Sequence, residues 1–141
     1  MLVDSSVWIA YMRGDATQEV LLLSATMEAG RAPWMAPPIL QEVLQGADRP
    51  ERLARWERML GALPMLESAD QRATAIHAAG LYARCRWAGY TPRSSTDCLI
   101  ATYAVEHRLP LLHADRDFTL IAGIEPRLRL LGAAARPVRG A

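Results

Sequence analysis

The 141-residue chain predicts a single three-layer α/β domain with a parallel sheet of about five strands. Two observations carry this. Short apolar runs alternate with stretches of helical periodicity, and glycine, proline or a capping side chain punctuates nearly every junction. The apolar fraction of 51% and charged fraction of 22% are those of a chain that buries a substantial core.

Met1 to Asp4 reads as the first strand, stopping at Asp4-Ser5-Ser6. Val7, Trp8, Ile9, Tyr11 and Met12 then form a helix that Gly14 ends. Thr17 can cap a second helix through Met27, closed by Gly30. Ala32 to Ala36 is the second strand. Pro37-Pro38 opens the helix carrying Leu40, Glu42, Val43 and Leu44, since a helix start has no internal partner for its N–H groups. Pro50 begins a further helix, and Leu63 to Leu66 is a brief third strand. Ser68 or Asp70 caps a long helix that breaks at Gly89-Tyr90-Thr91-Pro92. Ser94 caps the helix containing Leu99, Ile100 and Tyr103. Pro110 to His113 is the fourth strand, Phe118 to Ile121 a short element, and Leu128 to Leu131 the fifth strand. The domain is expected to span 1–131, with 132–141 a frayed tail of small residues.

Acids recur where strands hand over to helices: Asp4, Glu42, Asp97, and the pair Asp115 and Asp117. In an open parallel sheet the carboxyl ends of the strands share one edge, so these side chains are expected in one pocket. Singly, each has a structural explanation. Asp4 and Asp115 or Asp117 can cap helices, Asp97 lies three residues after Ser94 as in a capping box, and Glu42 follows a helix start. Together they point to a shared site, because clustered carboxylates repel one another unless hard cations such as Mg²⁺ or Mn²⁺ are present. Ser6 can hold a water or an acid beside Asp4.

At these positions the chain resembles the PIN-domain family, in particular the VapC-type toxins of toxin–antitoxin pairs. The matching stretches are Leu2-Val3-Asp4-Ser5-Ser6-Val7-Trp8-Ile9, Pro38-Ile39-Leu40-Gln41-Glu42-Val43-Leu44-Gln45-Gly46, Ser95-Thr96-Asp97-Cys98-Leu99-Ile100-Ala101 and Leu111-Leu112-His113-Ala114-Asp115-Arg116-Asp117-Phe118. The resemblance implies a sheet order of 3-2-1-4-5 and a quartet of Asp4, Glu42, Asp97 and Asp115, with Asp117 as a fifth ligand. It implies a Mg²⁺- or Mn²⁺-dependent endoribonuclease in which an activated water attacks phosphorus. Asp4 and Asp97 are then the tightest ligands, and Glu42 a ligand or the acceptor of the water's proton. A homodimer and an antitoxin protein whose terminal segment wraps a groove are also implied, with Trp56 and Trp87 as groove or interface residues.

Other features are secondary. All sixteen basic residues are arginine; setting aside the five site acids leaves the rest of the chain at +6, the whole being +1. Arginine suits bidentate phosphate contact; Arg116, between two site aspartates, is the stronger candidate for touching substrate or pairing with an acid, and Arg93 can meet a phosphate at the pocket rim. Arg49, Arg52, Arg55 and Arg58 form either an RNA-backbone track or a solvated face interleaved with Glu51 and Glu57. His113 is expected to be structural rather than a metal ligand. Cys98 follows Asp97, yet a free cysteine of this kind reads as core packing rather than as a nucleophile. Trp8 and Trp34 are expected in the core. Nothing approaches the roughly 18 consecutive apolar residues of a membrane span. With only three residues before Asp4, a cytosolic location is expected. Rival readings are a structure-specific DNA nuclease, whose metal centre would look the same, and a non-catalytic protein- or RNA-binding module, which would predict a lost acid. An aspartyl phosphatase would require a second acid two residues after Asp4, where Ser6 stands.

Overall fold

A computed structural model describes residues 1–132; the expected tail, apart from Gly132, lies outside the described residues. The elements are β1 (Leu2–Val3), α1 (Ser5–Arg13), α2 (Gln18–Glu28), α3 (Pro37–Leu44), α4 (Pro50–Gly61), α5 (Gln71–Trp87), α6 (Ser95–Glu106), β2 (Leu111–Leu112), α7 (Arg116–Ile124) and β3 (Leu130–Leu131). Local chemistry sets most boundaries. Thr17 Oγ1 accepts from Val20 N–H, Asp70 from Ala73 N–H, and Ser94 from Thr96 N–H, each filling an orphan donor at a helix start. Gly14 closes α1 in the left-handed region at φ 78°, where a side chain would be strained.

The parallel sheet has three laddered strands in the order β1-β2-β3, with Leu2 opposite Leu111 and Leu111 opposite Leu130. This corrects the expected five. The segments around Trp34–Met35 and Met65 extend the same sheet by single bridges, Leu2 to Trp34 and Met35 to Met65. Including them, the order along the sheet is that of chain positions 65, 35, 2, 111 and 130, which is 3-2-1-4-5. Proline explains why the outer bridge never becomes a ladder. Met35 N–H donates to Pro64 O and Leu66 N–H to Met35 O. The next donors in register would belong to residues 64 and 37, both prolines without an N–H.

The strand order, with the right-handed crossovers that parallel strands take, assigns α1 to α4 to one face and α5 to α7 to the other. Helices pack within those groups, and α3 meets α6 between them. β1 and β2 are fully buried: Leu2, Val3, Leu111 and Leu112 have no exposure, and Trp8, Leu23, Ile39, Ile100, Phe118 and Ile121 close over the sheet, while Leu130 and Leu131 of β3 are half-buried. Trp8 is core as expected, whereas Trp34 is 37% exposed, at the start of a short segment held by single bridges. Cys85 and Cys98 are both buried. The strand order reverses between β1 and β2, which opens a crevice at their carboxyl ends.

Phe118 has no exposed surface and lies edge-on to His113, with ring centroids 5.5 Å apart. Phe118→Ala is expected to cost roughly 3–5 kcal/mol, measured as a lowered urea midpoint with an unchanged slope.

Candidate metal centre

All five acids come to the carboxyl edge, each delivered by a different local device. Asp4 ends β1 and caps α1, its Oδ2 accepting from Ser6 N–H at 3.0 Å and from Ser6 Oγ at 2.5 Å. Ser6 Oγ also accepts from Ala114 N–H at 3.1 Å, tying the first acid to the turn after β2. Glu42, in the second turn of α3, accepts from Ser5 Oγ at 2.5 Å. Asp97 lies in the first turn of α6, where the positive helix end faces it. Asp115 caps α7 by accepting from Asp117 N–H at 2.9 Å. Ligand oxygens of Asp97, Asp115 and Asp117 lie within 4.8 Å of one another. A cavity of about 480 Å³ opens over them, lined chiefly by Asp4, Ser5, Ser6, Glu42, Asp97 and Asp115.

The electrostatics are those of crowded like charges. Asp97 is 8% exposed, and its pKa is pushed up to about 7 by burial first, then by Asp4, Asp115, Asp117 and Glu42. Burial also raises Asp4 against the hydrogen bonds from Ser6, and raises Glu42 against the bond from Ser5. Asp117 goes the other way. Burial pushes it up, but Tyr90 and the Arg93 guanidinium and N–H outweigh that and hold it below the ordinary carboxylate range. Arg93 Nε lies 3.2 Å from Asp117 and its Nη2 3.1 Å from Asp115. The Tyr90 hydroxyl is buried beside Asp117, without a hydrogen bond of good geometry among the described residues.

Of the two arginines expected to meet substrate, Arg93 lines the cavity, while Arg116 is exposed, is not part of the cavity lining and makes no ion pair among the described residues. As first residue of α7, Arg116 follows the cap, and its neighbours Asp115 and Asp117 are paired with Arg93 instead. His113 is fully buried, with Nδ1 2.7 Å from Asp115 O, and burial lowers its pKa. A neutral ring donating from Nδ1 therefore braces the Asp115 turn. The Cys98 thiol is pushed up to about 12 by burial, Cys85 and Asp97, so it supplies no thiolate near neutral pH. Sequence reasoning missed Ser5 and Tyr90. The hydroxyl pair Ser5-Ser6 at a helix start was the available signal for the first; nothing local marks Tyr90.

A slightly larger hollow of about 510 Å³ lies between α5 and α6, but its most buried acid, Glu125, is already paired with Arg84 and Arg127. The chemistry belongs to the acidic cavity.

The pattern of the PIN domain family matches residues 1–124. The chain belongs to the PIN-domain family. It is 40% identical over 127 residues to VapC ribonuclease Mb1587 of Mycobacterium bovis, covering 88% of this chain and 92% of that protein. Ribonuclease VapC11 of Mycobacterium tuberculosis matches with the same identity and coverage. Among solved structures, VapBC-1 from nontypeable Haemophilus influenzae superposes with a TM-score of 0.70 at 16% identity, covering 93% of this chain and 96% of that one. VapBC2 from Rickettsia felis, bound to a promoter DNA fragment, gives 0.69 at 15% identity with the same coverage. These two establish the fold. Among the described residues, no helix of this PIN domain is long and apolar enough to cross a membrane.

The donor set of this PIN domain suits a hard divalent cation. Every candidate ligand is a carboxylate oxygen, and three converge from two helix starts. Asp4 Oδ1 is buried without a partner among the described residues, an expensive state for a carboxylate oxygen unless something cationic meets it.

The raised pKa of Asp97 fixes a sign. Its contribution to stability is present below the ordinary carboxylate value and lost as pH rises through about 7, because the folded site disfavours the charge. Asp97→Asn is therefore expected to stabilise the metal-free protein at pH 8 by about 2–4 kcal/mol, with the gain vanishing near pH 4. Thermal melts in EDTA at both values test this.

Proposed function

We propose that the chain is a metal-dependent endoribonuclease and the toxin of a toxin–antitoxin pair. The observation that carries this reading is the convergence of Asp97, Asp115 and Asp117 beside a cavity that Asp4, with its unpartnered buried oxygen, also lines. The VapC ribonucleases at 40% identity support the same activity. Asp97, Asp115 and Asp117 would hold the cation together with Asp4, and Mg²⁺ or Mn²⁺ fits their hard oxygens. Such an ion supplies Lewis acidity toward phosphate and lowers the pKa of water at the site.

The chain's own residues do the rest. Glu42 stands on the cavity wall, oriented by Ser5, and is placed to accept a proton from the attacking water. Ser6 fixes the direction of Asp4 and binds the turn leading to Asp115, so the two sides of the crevice keep their spacing. Water attacks phosphorus, the bond to the leaving ribose oxygen breaks, and that oxygen takes a proton. Arg93 at the rim is the substrate-facing cation.

The partner is a VapB-like antitoxin, as in the VapBC structures that share the fold. Exposed apolar side chains suit a helix laid across this chain, namely Leu21 and Leu22 of α2 and Leu53 and Met59 of α4. Trp87, 81% exposed, and Ile76 on α5 support a homodimer contact.

Purified protein free of any partner is expected to cut total RNA into discrete fragments with Mn²⁺ or Mg²⁺, and to stop with EDTA. Asp97→Asn and Asp4→Asn should each lower the rate by about 10²-fold or more. Persistent cleavage by both variants, or faster cutting of single-stranded DNA, would overturn the assignment. Omitting each ion in turn decides between Mg²⁺ and Mn²⁺.

A further inference from the structure

Resting on the metal-dependent reading above, one side chain is in two places of interest at once. Arg93 spreads its guanidinium over two different carboxylates, Nε to Asp117 and Nη2 to Asp115, instead of forking onto one. Those carboxylates are two of the three whose oxygens converge on a cation-sized space. A guanidinium and a divalent ion therefore draw on the same two carboxylates.

The local architecture allows exchange. The main chain at Arg93 is fixed: Gly89 turns the chain at φ 87°, Pro92 restrains the approach, and Arg93 N–H donates to Asp117 at 3.3 Å. The side chain is mostly in solvent, with 73% of it exposed. Its ion pairs are partly solvated, a setting in which such pairs contribute little and break readily. Arg93 also borders the same cavity as Ser94, Asp97 and Glu42, so a modest side-chain rotation carries it from the acids to the opening.

We infer that Arg93 is a resident counter-cation: it holds Asp115 and Asp117 until a divalent ion takes those oxygens, and the displaced guanidinium then binds a phosphate of the RNA backbone. The exchange replaces one positive charge with two at this pair of carboxylates, and supplies a phosphate ligand only when the site is loaded. No bond is made or broken in it.

Arg93→Gln tests this, because the opposite signs of two readouts separate exchange from a structural role. Mn²⁺ affinity, measured by titration calorimetry and electron paramagnetic resonance on the protein alone, is expected to tighten about threefold or more in the variant. RNA affinity, measured with Ca²⁺ in place of Mn²⁺, is expected to weaken, and its dependence on salt to fall by about one phosphate contact. Equal or weaker Mn²⁺ binding by the variant would overturn the inference while leaving the nuclease reading intact. So would tighter Mn²⁺ binding with unchanged RNA affinity. Absence of Mn²⁺ binding in both proteins, with Asp97→Asn also indistinguishable, would remove the metal centre itself and the inference with it.

Discussion

Mutual repulsion among carboxylates is the constraint on which the site and much of its scaffold depend. Five acids at one sheet edge cannot all be charged and dry unless something balances them. The fold answers with helix starts: Asp4 caps α1, Asp115 caps α7, and Asp97 and Asp117 sit in first turns. Each thereby meets backbone N–H groups or the positive end of a helix dipole. The compensation is incomplete, as the elevated Asp97 shows. What remains is an electrostatic demand for a cation, stored in a rigid frame.

That frame is small. The laddered strands are two residues long, so the sheet contributes few hydrogen bonds of its own, and positional accuracy comes from the helices packed over it. Cross-links spanning long sequence distances do the aligning. Ser6 reaches Ala114, and Ser5 reaches Glu42. His113 adds a shorter brace, its buried ring holding the Asp115 carbonyl from below. Hydroxyls and an imidazole thus fix carboxylates that would otherwise drift apart.

Much of this was legible in the chain. Gly14, Thr17, Asp70 and Ser94 punctuate the helices where their chemistry says they should, because caps act within one turn. The order of the strands followed from the resemblance, and the gathering of the acids from a general property of parallel sheets. Two things were hidden. Strand length at the edge depends on which N–H faces which neighbour, so the effect of Pro37 and Pro64 emerges only with the register of Met35 against Met65. The partner of Asp115 and Asp117 was also hidden. Sequence adjacency favoured Arg116, but a helix start turns adjacent side chains apart, and Arg93, 22 residues earlier than Asp115, comes in from another loop.

The prolines beside the outer bridge have a further consequence. A sheet edge with a long row of free N–H and C=O groups is a template for another chain. Here the outermost segment is held by a single bridge at Met65, and the opposite edge strand is only Leu130–Leu131. Neither gives an incoming strand enough main-chain groups to bind by. Among the described residues the sheet edges thus offer little main chain for stacking on the protein's own copies, which leaves helix surfaces and side chains as the faces a specific associate can read.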